Sequence, residues 1–393
     1  MNKKINSVVI TKGRRIVQAG IAGILLGSLA TGAMAQPPRP GAITPAAHAG
    51  QEPINHLPNP YETQRDFGTL PDGRNWGSVS AVNVDIDGVH IWAGDRCGVN
   101  SCALFPEIDP IVKLDPSGRV VASLGAGQIL WPHGMDVDPE GNIWIADARL
   151  ANSAEADANP DSQNIGSAVL KFSPEGELLM VIGTPGEMGD PPTHLTEPND
   201  VLVAPNGRIF IGETHGAQFQ NEPGPTAKSR ITIWEPDGTY VGSFGEWGQE
   251  DGQFRAPHSL AMDSQGRLFV ADRGNNRIQI FTQDGDHLDT WYQFSRNSGI
   301  FIDKSNDWLY AIDSESDPNY NPGGWRKGLR VGSARTGDVY FFVPEHVSPE
   351  RSSGMGGVGS MGEGVTVDSA GNVYAGEVGP IQGMTKFVPR LIP

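Results

Sequence analysis

The chain has 393 residues and a formal net charge of −17 at pH 7, with 46 acidic against 29 basic side chains. So acidic a balance excludes nucleic acid and anionic membrane surfaces as partners. With 51 glycines, 31 prolines and no stretch of sustained helical period, it also excludes an α-helical fold.

Residues 1–35 read as an export signal. Lys3, Lys4, Lys12, Arg14 and Arg15 form a basic lead, Ile21 to Ala30 a short apolar run, and Ala33-Met34-Ala35 a cleavage site before Gln36. The apolar run is too short to span a membrane. Removing five basic residues and no acidic one takes the net charge from −17 to −22. The mature chain is therefore expected in the periplasm or outside the cell, as a monomer. Residues 36–64, rich in Pro, Ala and Gly, read as a flexible lead-in. Cys97 and Cys102, the only cysteines, are expected to pair in an oxidising compartment.

From residue 65 to the C-terminus one pattern repeats. A short apolar run occurs as SAVNVD (80–85), HGMDVD (133–138), NDVLVA (199–204), HSLAMD (258–263), SGIFID (298–303) and EGVTVD (363–368). A turn such as PEGN, PNGR, SQGR or SAGN follows, with Gly or Asn where positive φ is needed. A second run then ends in an acid: Asp95, Asp147, Glu213, Asp272, Asp313 and Glu377. Most units add a third and a fourth run. Four short antiparallel strands per unit, in six units, predict an all-β, six-bladed β-propeller over 65–393. The sixth unit has no fourth run. Residues 65–77 are expected to supply it by pairing with 384–388, which closes the ring and removes its exposed edges.

The repeats resemble NHL repeats, whose exit pattern VADRGNNRIQIF follows closely. APHSLAMDSQGRLFVADRGNNRIQIF together with WPHGMDVDPEGNIWIAD further resembles the peptidyl-α-hydroxyglycine α-amidating lyase family. The first residues of the six aligned runs are Ser80, His133, Asn199, His258, Ser298 and Glu363. Equivalent positions in a propeller ring the axis, so these side chains meet at one end of the tunnel. His133, His258 and Glu363 are expected to converge on one metal ion, zinc or another divalent transition metal. In the family three histidines hold the zinc, and Glu363 stands at the place of the third.

The resemblance also implies catalytic roles for Arg96 and Arg273, which would hold a carboxylate or amide. It implies one for His215, at the place of a tyrosine base, where it could also ligate the metal. Met361, two residues before Glu363, matches a methionine that lines the family's site. A calcium ion is a further possibility of the family, but the Asp that helps to hold it is Gly364 here. Insertions at 96–110, 148–167, 214–229 and 314–328 are expected to crowd the metal end. In the last of them, Tyr320 and Trp325 are candidates for stacking on a substrate. The expected activity is cleavage of a C–N bond in an α-hydroxyamide, with a small molecule or peptide as substrate. Two alternatives remain open: a metal-dependent hydrolase or lactonase, and a non-enzymatic binding propeller.

Overall fold

The computed structural model describes residues 50–224, 228–345, 361–379 and 382–390. The export signal and the first part of the lead-in lie outside them. The described chain forms six four-stranded antiparallel sheets. Their innermost strands are Val79–Val84, Pro132–Val137, Pro198–Val203, Pro257–Met262, Gly299–Asp303 and Gly364–Val367. Each innermost strand touches those of the two neighbouring blades, and the sixth touches the first, so the sheets close into a ring. The structure is a six-bladed β-propeller.

Each blade buries its second and third strands. In blade four, Leu268–Asp272 and Arg277–Phe281 are buried at every position, whereas the outer strand His287–Trp291 is buried only at Trp291. The cores lie between blades. Ala261, Phe269, Ile278, Ile300 and Leu309 join blades four and five. Tyr310, Val331, Met361, Val365 and Val373 join five and six. Neighbouring sheets thus share an apolar seam, and hydrogen bonds between inner strands add to it, such as Val203 N to Asp136 Oδ2 and Leu260 N to Asp200 Oδ2.

The strand that completes the sixth blade differs from the expected one. It is Tyr61–Gln64, which pairs antiparallel with Gln382–Pro389 in the register Tyr61↔Pro389 to Gln64↔Lys386. Residues 65–77 instead form the connection into blade one. There Phe67 N donates to Met384 O and Trp76 Nε1 to Gly68 O. The end of the lead-in is also held down: Arg330 donates to Ile54 O and Asn55 Oδ1, and Phe342 N to Pro58 O. The closing strand is short and its side chain Tyr61 is buried, which anchors it in the seam of blades five and six.

Candidate metal centre

Ser80, His133, Asn199 and His258 each fall where their inner strand shifts register against the second strand. The shifts lie at Val79/Ala81, Pro132/Met135, Pro198/Asp200 and Pro257/Ser259. Such a bulge frees a residue from the pleat and re-aims its side chain. The acid that closes each second strand fixes the chain just ahead of the bulge. Asp147 accepts from Leu130 N at 2.8 Å and Trp131 N at 2.6 Å. Asp272 accepts from Arg255 N at 2.7 Å, and Glu213 from Thr196 N at 2.8 Å. In blades one to four the acid that closes the second strand is therefore a clamp on the entry to the axial ring.

Three histidines come together at one end of the tunnel. The ligand atoms of His133, His215 and His258 all lie within 4.8 Å of one another. Their ring centroids are 4.6 Å apart for His133 and His258, 4.8 Å for His133 and His215, and 5.3 Å for His215 and His258. His133 Nδ1 lies 2.7 Å from Asn199 O and His258 Nδ1 2.6 Å from Ser298 O. A carbonyl can only accept, so both Nδ1 atoms carry the proton and both Nε2 atoms carry the lone pair. Burial holds all three well below the usual imidazole range, His215 at about 3; His215 and Arg96 reinforce it at His133, Arg273 and the other imidazoles at His258, and Arg273 and Arg96 at His215. Three neutral imidazoles, two of them oriented by backbone acceptors, are the donor set a divalent transition metal takes. The cluster could hold such an ion.

His215 reaches the cluster by another route than its partners. It opens a short 3-10 turn, His215–Phe219, entered through Thr214 in the left-handed region at φ 82°. Glu197 fixes that turn by accepting from Gly216 N at 2.8 Å.

Around the imidazoles lies a charged shell. Arg273 Nη1 donates to His258 Nε2 at 2.6 Å and to Glu363 Oε2 at 3.0 Å. Its Nη2 reaches Glu363 Oε1 at 3.3 Å and Glu315 Oε2 at 2.9 Å. Burial works against this charge, but Glu315 and Glu363 outweigh it and raise the group above its ordinary value. Arg296 supports the arrangement by donating to Arg273 O at 2.8 Å and to Glu315 Oε2 at 3.0 Å. Glu363 Oε2 stands 3.8 Å from His258 Nε2. Burial raises the Glu363 carboxyl and Arg273 opposes it, with a net upward shift. Arg96 is buried, which lowers it to about 9. It donates to Pro132 O, Asn100 Oδ1 and Ser80 Oγ and lies 3.4 Å over the Trp131 ring.

The expected residues thus fall into three groups. His133, His258 and His215 form the donor cluster. Glu363, expected as the third ligand, stands beside it in a two-pronged ion pair with Arg273, and Arg96 lies over Trp131, which stacks on His133. Met361 is fully buried in the apolar seam of blades five and six. Tyr320 and Trp325 are also buried, packed against Arg296 and Arg330. The side chain of a residue at 364 would collide with Ser80 O at 2.2 Å, so only glycine fits where the family's calcium-binding Asp stands. Cys97 and Cys102 are joined in a disulfide beside Arg96. Sequence reasoning missed Trp131, Glu197, Arg296 and Glu315. Trp131 and Arg296 each stand two residues before a ring residue, a second register that could have been read.

The axial cavity holds about 90 Å³ and is lined by His133, His258 and Glu363 at one end and by Asp136, Asp200 and Lys304 farther along. That is room for a few waters, so a substrate larger than that must approach from the loop side.

The chain is similar to known proteins in its repeat and in its fold. The NHL repeat model matches residues 254–281. Peptidylglycine alpha-amidating monooxygenase of Rattus norvegicus is 31% identical over 231 residues, which are 53% of this chain and 21% of that protein. Peptidyl-alpha-hydroxyglycine alpha-amidating lyase 1 of Drosophila melanogaster is 25% identical over 188 residues, 46% of this chain and 31% of that protein. The matches thus span about a fifth to a third of the length of these relatives. A gluconolactonase of Xanthomonas campestris has the same fold, with a TM-score of 0.51 at 15% identity over 89% of this chain and 94% of that one.

Proposed function

We propose that this NHL-repeat propeller is an exported, metal-dependent lyase that cleaves the C–N bond of an α-hydroxyamide bearing a carboxylate. The observation that carries the reading is the cluster of three neutral histidines, His133 and His258 buried and His215 partly so, with Arg96, Arg273 and Glu363 around it. The similarity to amidating lyases supports it, and the disulfide and the leader support export. No helix among the described residues is long and apolar enough to cross a membrane.

In this reading His133, His215 and His258 hold the ion, and Glu363 is the base. The roles expected for His215 and Glu363 from the sequence are exchanged. A divalent ion bound there supplies Lewis acidity toward the substrate hydroxyl. Glu363 takes the hydroxyl proton, for which burial has already raised its carboxyl toward a base's range. The C–O bond gains double-bond character as the C–N bond breaks, and the electron pair leaves with nitrogen. The proton held by Glu363 passes to that nitrogen. An N-acyl-α-hydroxyglycine gives a primary amide and glyoxylate, with no water consumed. Arg96 spends three of the five N–H donors of its guanidinium on the protein. The remaining two are available to the substrate carboxylate.

Metal analysis of the purified protein and turnover of N-benzoyl-α-hydroxyglycine test the reading together. The expected result is about one equivalent of a transition metal and release of benzamide with glyoxylate. His133→Ala is expected to lose both, beyond the roughly 10–100-fold effect of removing a mere supporting group. A metal-free protein whose His133→Ala variant behaves as wild type would be a binding propeller, and ring opening of lactones without amide cleavage would make it a hydrolase.

A further inference from the structure

Tryptophans buried in this chain find acceptors for their indole N–H. Trp76 donates to Gly68 O, Trp92 to Asp85, Trp144 to Asp138 and Trp234 to Thr232. A buried indole normally does so, because leaving the donor unpaired costs free energy. Trp131 is an exception. Its Nε1 is enclosed, yet it has no hydrogen-bond partner among the described residues.

Its position makes the exception informative. Trp131 is two residues ahead of His133, and its ring centroid lies 5.3 Å from that of His133 and 5.4 Å from that of His215. One face is taken by the Arg96 guanidinium at 3.4 Å. The backbone is fixed on both sides, with Trp131 N donating to Asp147 Oδ1 and Trp131 O accepting from Ala148 N at 3.2 Å. As a residue it is only half-buried. A rigid donor is thus held beside two metal-donor imidazoles and the arginine free to take a carboxylate. Trp247 Nε1 is also without a partner among the described residues, but the contact of its ring is with Arg255 and not with a cluster histidine.

We infer that Trp131 recognises the acyl half of the substrate, its indole N–H donating to the amide carbonyl of an N-acyl-α-hydroxyglycine. This rests on the lyase reading. Arg96 would read one end of the substrate and Trp131, stacked on it, the other.

The stable analogue N-benzoylglycine and its thioamide counterpart test this, since a thiocarbonyl is a poor acceptor. Wild type should bind the amide about three- to tenfold more tightly than the thioamide, the effect of one neutral hydrogen bond. Trp131→Phe keeps the ring over Arg96 and deletes the N–H. It should abolish that preference and raise KM for N-benzoyl-α-hydroxyglycine by the same factor, with kcat and metal content unchanged. Trp247→Phe should change none of these. Equal affinity of wild type for amide and thioamide overturns the inference without any variant, and so does an unchanged KM in Trp131→Phe. If wild type neither binds the analogue nor turns the substrate over, the lyase reading falls with it. Turnover by wild type without amide preference sinks the Trp131 role alone.

Discussion

At the scale of single residues, the centre combines two demands on one lone pair. His258 Nε2 accepts from Arg273 Nη1, yet it is also the atom a metal would need. It cannot serve both, so Arg273 competes with the ion for His258, while Glu363 and Glu315 offer the guanidinium other partners. Arg273→Ala should therefore tighten zinc binding, by about ten- to a hundredfold for the loss of a charged donor from the ligand atom. Turnover should fall in the same variant because Glu363 loses its anchor. Competition titration with a chromogenic chelator measures the first effect, and unchanged or weaker zinc affinity contradicts it. His133 and His258 were legible in the sequence because the repeat places them in one register. The place of His215 came from the family resemblance alone, not from the repeat. It enters from a turn after the second strand, through a left-handed Thr214, and shares no register with its partners. Nor was the Glu363–Arg273 pair legible, since 90 positions separate the two.

At the scale of elements, the inner strands approach one another so closely that their glycines are obligatory. A Cβ on Gly134 would meet Asp200 Oδ1 at 2.2 Å and Asn199 O at 2.6 Å. Asn199 O is the acceptor that orients His133. Gly134→Ala should thus lower stability by about 1–3 kcal/mol, as overpacking does, and weaken metal binding because the His133 acceptor shifts. Thermal melting and metal titration of the variant check both, and wild-type metal affinity would show that the bulge tolerates the shift. The strands themselves were legible as alternating runs bounded by Gly-containing turns. The closing strand Tyr61–Gln64 was not. Its burial pattern has a single buried position, Tyr61, and it belongs to no complete unit, so nothing in the repeat marks it.

At the scale of the whole molecule, the tunnel is lined by carboxyls that the ring keeps from water. Burial raises Asp200 to about 7 and Asp136 to about 6. Asp200 has a value near 3.9 when the chain is unfolded. Its contribution to stability is therefore complete below that value and is lost as pH rises through about 7. The buried histidines act in the opposite sense. They are lowered in the folded state, so their contribution is lost as pH falls below about 6.5. The Asp200 effect is accordingly read between about pH 6.5 and 8. The melting temperature of the metal-free protein should decline across that window, and Asp200→Asn, though less stable throughout, should decline less. Parallel curves for the two proteins would show that Asp200 does not titrate there.

The join between the first and last strands also sets an order in time. Arg65 beside that join donates to Thr385 across 320 positions. A ribosome or an export channel delivers these partners far apart, and the earlier one must wait for the later. Until then the Gln382–Pro389 edge of the last blade stands open and Tyr61–Gln64 is unpaired, and each can pair with another chain as readily as with its own. Closing so long a loop is an entropic obstacle met only once, at the end. Refolding from denaturant should therefore be slow and lose yield as protein concentration rises. A yield independent of concentration would mean that the edges are never exposed together.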